Sequence, residues 1–169
     1  MNKTQKDLWC DAYGMFLNRK YDNAEKMLLK ALNAKDDNVI DRHFTYNILI
    51  KLYYKLRDER KDALEICIKY CKEDIERLSE FLETEEKIYR SRWNYSKKHY
   101  GQYGGYEGEH EYHLPQCPSV IQLAIIYEKK GEFQKAIDLC NFALKLGLKD
   151  GTKQGFQGRK AKLEKKLKN

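Results

Sequence analysis

Apolar side chains recur along this chain at three- and four-residue steps, and polar turns break the recurrence into paired segments. Leu8, Ala12, Met15 and Phe16 share one helical face, the polar stretch Asn18-Arg-Lys-Tyr-Asp-Asn interrupts it, and Ala24, Met27, Leu28, Ala31 and Leu32 resume it. This spacing predicts a helix–turn–helix hairpin. A second hairpin is read from Tyr46, Ile50, Tyr53 and Tyr54, the turn Arg57-Asp-Glu-Arg-Lys-Asp, then Ala63, Ile66, Cys67 and Tyr70. The third is the cleanest: Val120, Leu123, Ala124 and Tyr127, the turn Lys130-Gly-Glu-Phe, then Ala136, Leu139, Cys140 and Ala143.

Between the second and third hairpins, residues 72–93 carry a helical pattern through Ile75, Leu78, Leu82, Tyr89 and Trp93, whereas residues 94–116 read as a Tyr- and Gly-rich insertion or long loop. Pro118-Ser119 suits a helix start and Gly147 a helix end. A glycine-rich connector then leads to a basic helix from Arg159 to Leu167, whose apolar side is expected to be Phe156, Leu163 and Leu167. Two prolines and ten glycines in 169 residues leave little to punctuate many short strands, so the expected fold class is all-α, in one domain.

The third hairpin carries a family resemblance. Leu-Ala-x-x-Tyr-x-x-x-Gly-x-Phe-x-x-Ala-x-x-x-x-x-x-Ala, from Leu123 to Ala143, resembles a tetratricopeptide repeat, whose unit is about 34 residues of paired helices. Ala124, Ala136 and Ala143 take that family's small-residue positions, as do Ala12, Ala24 and Ala31 in the first unit; in the second, Lys51 and Tyr70 replace two of them. The resemblance implies a helical solenoid with repeat units at about 4–36, 42–76 and 117–147, an insertion at about 94–116 and a C-terminal cap at about 152–169.

Such solenoids bind partners on the concave face made by the first helix of each pair. Aligned on Ala12, Lys51 and Ala124, the family's geometry points Trp9, Ile48 and Ile121 into that groove, then Tyr13, Leu52 and Ile125, and then Phe16, Lys55 and Glu128. The first two rows are wholly apolar or aromatic and fit a peptide or an amphipathic helix; the competing occupant is the chain's own insertion or cap. Family members that grip a C-terminal carboxylate use a clamp of Lys, Asn and Arg, but the matching positions here are Trp9, Tyr13, Leu49, Pro118 and Gln122, none of them cationic. Recognition of an acidic chaperone tail is therefore not expected.

Charge adds a second class of function. Residues 1–75 carry 15 basic and 13 acidic side chains, and residues 117–169 carry 12 and 5, so the formal net charge of +7 collects at the C-terminus. There Lys153, Arg159 and Lys160 beside the glycine-rich connector are candidate anion contacts, and the alternative function is electrostatic binding of nucleic acid or an anionic small molecule. In the Tyr-rich region, aromatic residues near Lys97 and Lys98 are suited to stacking on bases, but three glutamates in the same stretch repel phosphate.

His110, His113 and Cys117 have spacings arithmetically open to zinc, but they lack paired knuckles and form a weak metal candidate. No Ser–His–Asp set, carboxylate pair or cofactor fingerprint is visible, so the expected protein is a non-catalytic adaptor or regulator without a cofactor. Five cysteines are read as reduced and mostly buried. No apolar stretch approaches a bilayer span and no signal core follows Met1, so the expected place is the cytoplasm, with a protein partner, no membrane and self-association open.

Overall fold

The computed structural model describes residues 3–101 and 111–168, and all regular structure among them is α-helical. The first hairpin is α1 (Gln5–Leu17) and α2 (Tyr21–Leu32), the second α3 (Val39–Lys55) and α4 (Ala63–Glu76), and the third α6 (Pro118–Lys129) and α7 (Phe133–Lys145). A long helix, α5 (Leu78–Tyr100), separates the second and third, and α8 (Gly155–Lys168) follows the last.

Local chemistry sets the ends. Thr4 caps α1 with a reciprocal pair, its hydroxyl accepting from the Asp7 amide at 3.2 Å while its own amide donates to the Asp7 carboxylate at 3.0 Å. Asn38 accepts from the Asp41 amide at 2.9 Å to open α3, and Pro118 opens α6 at a position where its missing N–H costs nothing.

The turns of the first and third hairpins are the same. Lys20 N–H donates to Met15 C=O and Arg19 N–H to Phe16 C=O; Glu132 N–H donates to Tyr127 C=O and Gly131 N–H to Glu128 C=O. Both need a left-handed residue after the C-cap, which is Gly131 at φ +74° in one and Arg19 at φ +58° in the other. Arg19 holds this conformation against a side-chain clash that glycine avoids.

Helix α3 is the hub. It touches α1, α2, α4, α5 and α6, and Tyr46, Leu49, Ile50, Leu52 and Tyr53 place it in the core on nearly all sides. The pairs follow one another through α1 and α2 on α3, then α3 and α4 on α6, then α7 on α8. Fully buried Ala12, Ala24, Ala31, Ala63, Ala124, Ala136 and Ala143 lie within these helices, where the missing bulk lets backbones approach closely. Gln5, with no exposure, ties the first pair to the second: its amide donates to Ala31 C=O at 3.1 Å and its carbonyl accepts from the Asn38 amide at 3.2 Å.

Two expectations are corrected here. The helix expected to stop near residue 93 runs on to Tyr100, because no glycine or proline interrupts the chain before Gly101. It is also separate from α4, with Arg77 outside helical geometry at the joint. The first turns of α5 are anchored by buried Leu78, Phe81 and Leu82, with the Phe81 ring stacked on His43 at 3.7 Å. His43 in turn holds Asp74 at 2.7 Å, both side chains 3 % exposed. At the other end, Phe156 and Leu163 are buried on α8 but Leu167, expected to join them, is half exposed.

Candidate binding face

The first helices of the three pairs present one shared surface, but its residues differ by one position in the middle unit from those the sequence alignment selects. Ala12 and Ala124 each lie six residues before the C-cap of their helix, Asn18 and Lys130. Six residues before the C-cap Leu56 of α3 stands Ile50, not Lys51. The cause is the second turn, one residue longer between C-cap and buried alanine (Leu56 to Ala63) than in the other pairs (Asn18 to Ala24, Lys130 to Ala136). One residue is about 100° of helical rotation, enough to move a side chain off a face.

Burial follows the shifted register. Ile50 is 1 % exposed like Ala12 and Ala124, whereas Lys51 is exposed like its new counterpart Tyr13. Leu52, selected as a groove residue, has no exposure and belongs to the core; Ile48 is also buried, at 5 %. Counted from the C-caps, the equivalent positions are Trp9, Asn47 and Ile121; Tyr13, Lys51 and Ile125; and Phe16, Tyr54 and Glu128, of which Asn47 is buried. Lys55 is exposed at the end of α3 next to this last row. Phe44, one turn before Asn47, joins the face and was missed by sequence reasoning. The signal that finds it is its place one turn before Ile48 and Asn47.

At the centre of the apolar end, the Trp9 and Phe44 rings stack with centroids 5.0 Å apart, and the indole N–H donates to Asp41 at 2.9 Å. That bond fixes the indole while leaving Phe44 39 % and Tyr13 41 % exposed. Ile121 and Ile125 are half-buried, and Phe16 packs against Tyr21 at 5.8 Å. The other end is polar: Lys129 donates to the Tyr54 hydroxyl at 3.0 Å and the Arg57 guanidinium lies 4.3 Å from the Tyr54 ring centre. Among the described residues no carboxylate lies within ion-pair distance of Lys51 or Lys55, whereas Asp11 is paired with Lys3 and Glu128 with Arg159 and Lys166.

The connector expected to hold anions is folded around its own charges. A cleft of about 450 Å³ is lined by Glu128, Asp150, Thr152, Lys153, Gln154, Gly155, Arg159 and Lys162. Within it Arg159 meets Glu128 at 3.2 Å and Asp150 at 3.6 Å; outside it, Lys160 pairs with Glu164 one turn along α8 at 3.7 Å. Of the three candidate cations only Lys153 is without a carboxylate partner. Burial opposes ionisation of Asp150, but the Thr152 hydroxyl and amide and the Arg159 guanidinium outweigh it, and its carboxyl sits below the usual range.

Two of the three weak metal candidates, His113 and Cys117, fall among the described residues. His113 is exposed, Cys117 is 1 % exposed with its thiol on the Pro115 carbonyl at 3.7 Å, and His110 lies outside the described residues. Burial first, and the nearby Asp74 charge second, push the Cys117 thiol up to about 12, which opposes the thiolate a metal requires. Among the described residues no three His, Cys, Asp or Glu side chains gather at a metal-binding distance, and no helix is long and apolar enough to cross a membrane. Compared with known proteins, the chain matches no family model, no curated protein and no solved structure.

Proposed function

We propose that this chain is a tetratricopeptide-like repeat that acts as a non-catalytic binding module, holding an amphipathic peptide segment of a partner protein on the face of α1, α3 and α6. The repeat reading is supported by the identical turns of the first and third hairpins and by the buried alanines that flank them. The binding reading is carried by one observation: the Trp9–Phe44 stack, held by Asp41, leaves two large aromatic side chains about 40 % exposed, Phe44 and neighbouring Tyr13. Rigid aromatic anchors lose little entropy on binding and are favoured at interface centres. Lys51, level with Tyr13, and Lys55, towards the polar end, have no carboxylate within ion-pair distance among the described residues and fit acidic residues beside the partner's apolar anchor.

The test is a Trp9→Ala/Phe44→Glu variant, checked for helicity by circular dichroism. A partner captured by the native chain is reduced to its shortest binding peptide and titrated calorimetrically against both forms. Loss of more than about tenfold in affinity is expected; equal affinity for both forms assigns the partner elsewhere and overturns the reading. A concentration-dependent dimer abolished by the same variant assigns the face to a second copy of the chain instead.

A further inference from the structure

The second half of α5 is the most one-sidedly charged surface of the described chain. From Lys87 to Tyr100 it carries Lys87, Arg90, Arg92, Lys97 and Lys98 and no carboxylate, while Glu76, Glu80, Glu83, Glu85 and Glu86 all precede it. The extension of the helix to Tyr100 turns this run into an ordered surface. On one side, Tyr112 lies against Tyr89 at 5.2 Å and donates to Glu85 at 2.8 Å, and the Tyr89 hydroxyl reaches the Glu111 carbonyl at 3.5 Å. About a quarter-turn away, Arg92, Tyr95 and His99 form a separate stripe, the Tyr95 and His99 rings 4.1 Å apart, with Lys98 at its edge. Arg90 is paired with Glu86, but Lys87, Arg92, Lys97 and Lys98 have no carboxylate within ion-pair distance among the described residues.

We infer that this half-helix is a contact surface for single-stranded nucleic acid. Tyr95 is 60 % and Tyr100 51 % exposed, on a segment where Arg92 and Lys98 have no carboxylate within ion-pair distance among the described residues. Bases stack on such rings while the cations track the phosphates, and an unpaired strand alone offers base faces. The exposed residues of the segment are Lys, Arg, His, Ser, Asn and Tyr, without the aliphatic face that a membrane-surface helix buries. The glutamates of the first half of α5 lie on the preceding turns, Glu111 lies on the Tyr89 side, away from the Arg92–Tyr95–His99 stripe, and Glu107 and Glu109 lie outside the described residues. This inference is independent of the α1–α3–α6 face.

The experiment is fluorescence anisotropy of the full chain with a labelled oligodeoxythymidine of about 15 nucleotides, within the range one binding surface covers. Binding at low salt is expected to weaken with a log–log slope of about −1.4, the value for two phosphate contacts, by Arg92 and Lys98, on a single strand. Arg92→Glu/Lys98→Glu is expected to cost more than about tenfold. Tyr95→Ala, at unchanged charge, is expected to cost about fivefold or more, with Tyr95→Phe restoring most of it. Lys165→Glu/Lys168→Glu on α8 is the control for non-specific charge and is expected to change little. No binding at low salt, an unaltered Tyr95→Ala, or a loss confined to the α8 variant overturns the proposal. So does equally tight binding of phosphatidylserine vesicles that Tyr95→Ala leaves unchanged.

Discussion

The second half of α5 and the C-terminal helix α8 are both rich in lysine and arginine, yet the fold uses them differently. On α8, Arg159 and Lys166 are drawn onto Glu128, Arg159 also faces buried Asp150, Lys160 pairs within the helix, and Phe156 and Leu163 are buried against the body. Half of the cations of this helix work as internal counter-ions of a cap. On α5, four of five cations between residues 87 and 100 have no carboxylate within ion-pair distance among the described residues, and Tyr95 and Tyr100 are exposed. Net charge along the sequence therefore locates positive residues but not available positive charge; that depends on which carboxylates the fold brings opposite them.

The sharpest way to break this comparison is to remove the anchors. Phe156→Ala should lower stability by about 3–5 kcal/mol in urea unfolding, because a ring 1 % exposed leaves a cavity between α8 and the body. Tyr95→Ala should change stability by less than about 0.5 kcal/mol, as expected of an exposed side chain; a large loss there would mean that the stripe on α5 is structural.

Next comes the counter-ion role. Arg159→Ala should cost about 1–3 kcal/mol, since it leaves the Asp150 carboxylate, 1 % exposed, with the Thr152 groups alone. Arg92→Ala, measured the same way, should cost next to nothing.

A pH series sharpens the same point. The folded-state pKa of Asp150 lies below its ordinary value, so its contribution is present above about pH 4 and is lost progressively as the pH falls below that. The acid limb of stability measured from pH 5 to pH 2 should be shallower in Asp150→Asn than in the native chain. An unchanged limb would remove Asp150 from the charge network of the cap.

The smallest expected effect is at Leu167. Half exposed beyond the last buried leucine of α8, its replacement by alanine should shift the melting temperature barely measurably, against the clear loss expected for Leu163→Ala.

Much of this architecture is legible in the residues. The three-and-four spacing of Ala24, Leu28 and Ala31 or of Ala136, Cys140 and Ala143 predicts the buried stripes found there, and Gly131 and Gly147 stand where left-handed caps are needed. The candidate face was legible only in part. Trp9, Tyr13, Ile121 and Ile125 are on it, but Ile48 and Leu52 are buried, because matching Lys51 to Ala12 and Ala124 overlooks the extra residue in the second turn. Phe44 stands one turn before Ile48 and Asn47 alike, so its spacing already placed it on this side of α3 and the alignment simply left it out. The pairing of one anion candidate, Arg159, was not legible for another reason: Glu128 is 31 residues away, and no local pattern reveals such a contact.

By itself, then, the sequence determined what depends on near neighbours: helical periodicity, turn chemistry, helix ends, and the stripes that must leave water. Those are set by backbone sterics and by apolar side chains three and four residues apart. Tertiary structure alone decided which lysines and arginines are neutralised, that α3 is enclosed from nearly every side, and that Trp9 meets Phe44 while His43 meets Phe81. Those outcomes depend on helices packing across long loops, where one added turn residue rotates a face by about 100° and a carboxylate from a distant helix changes the availability of a charge.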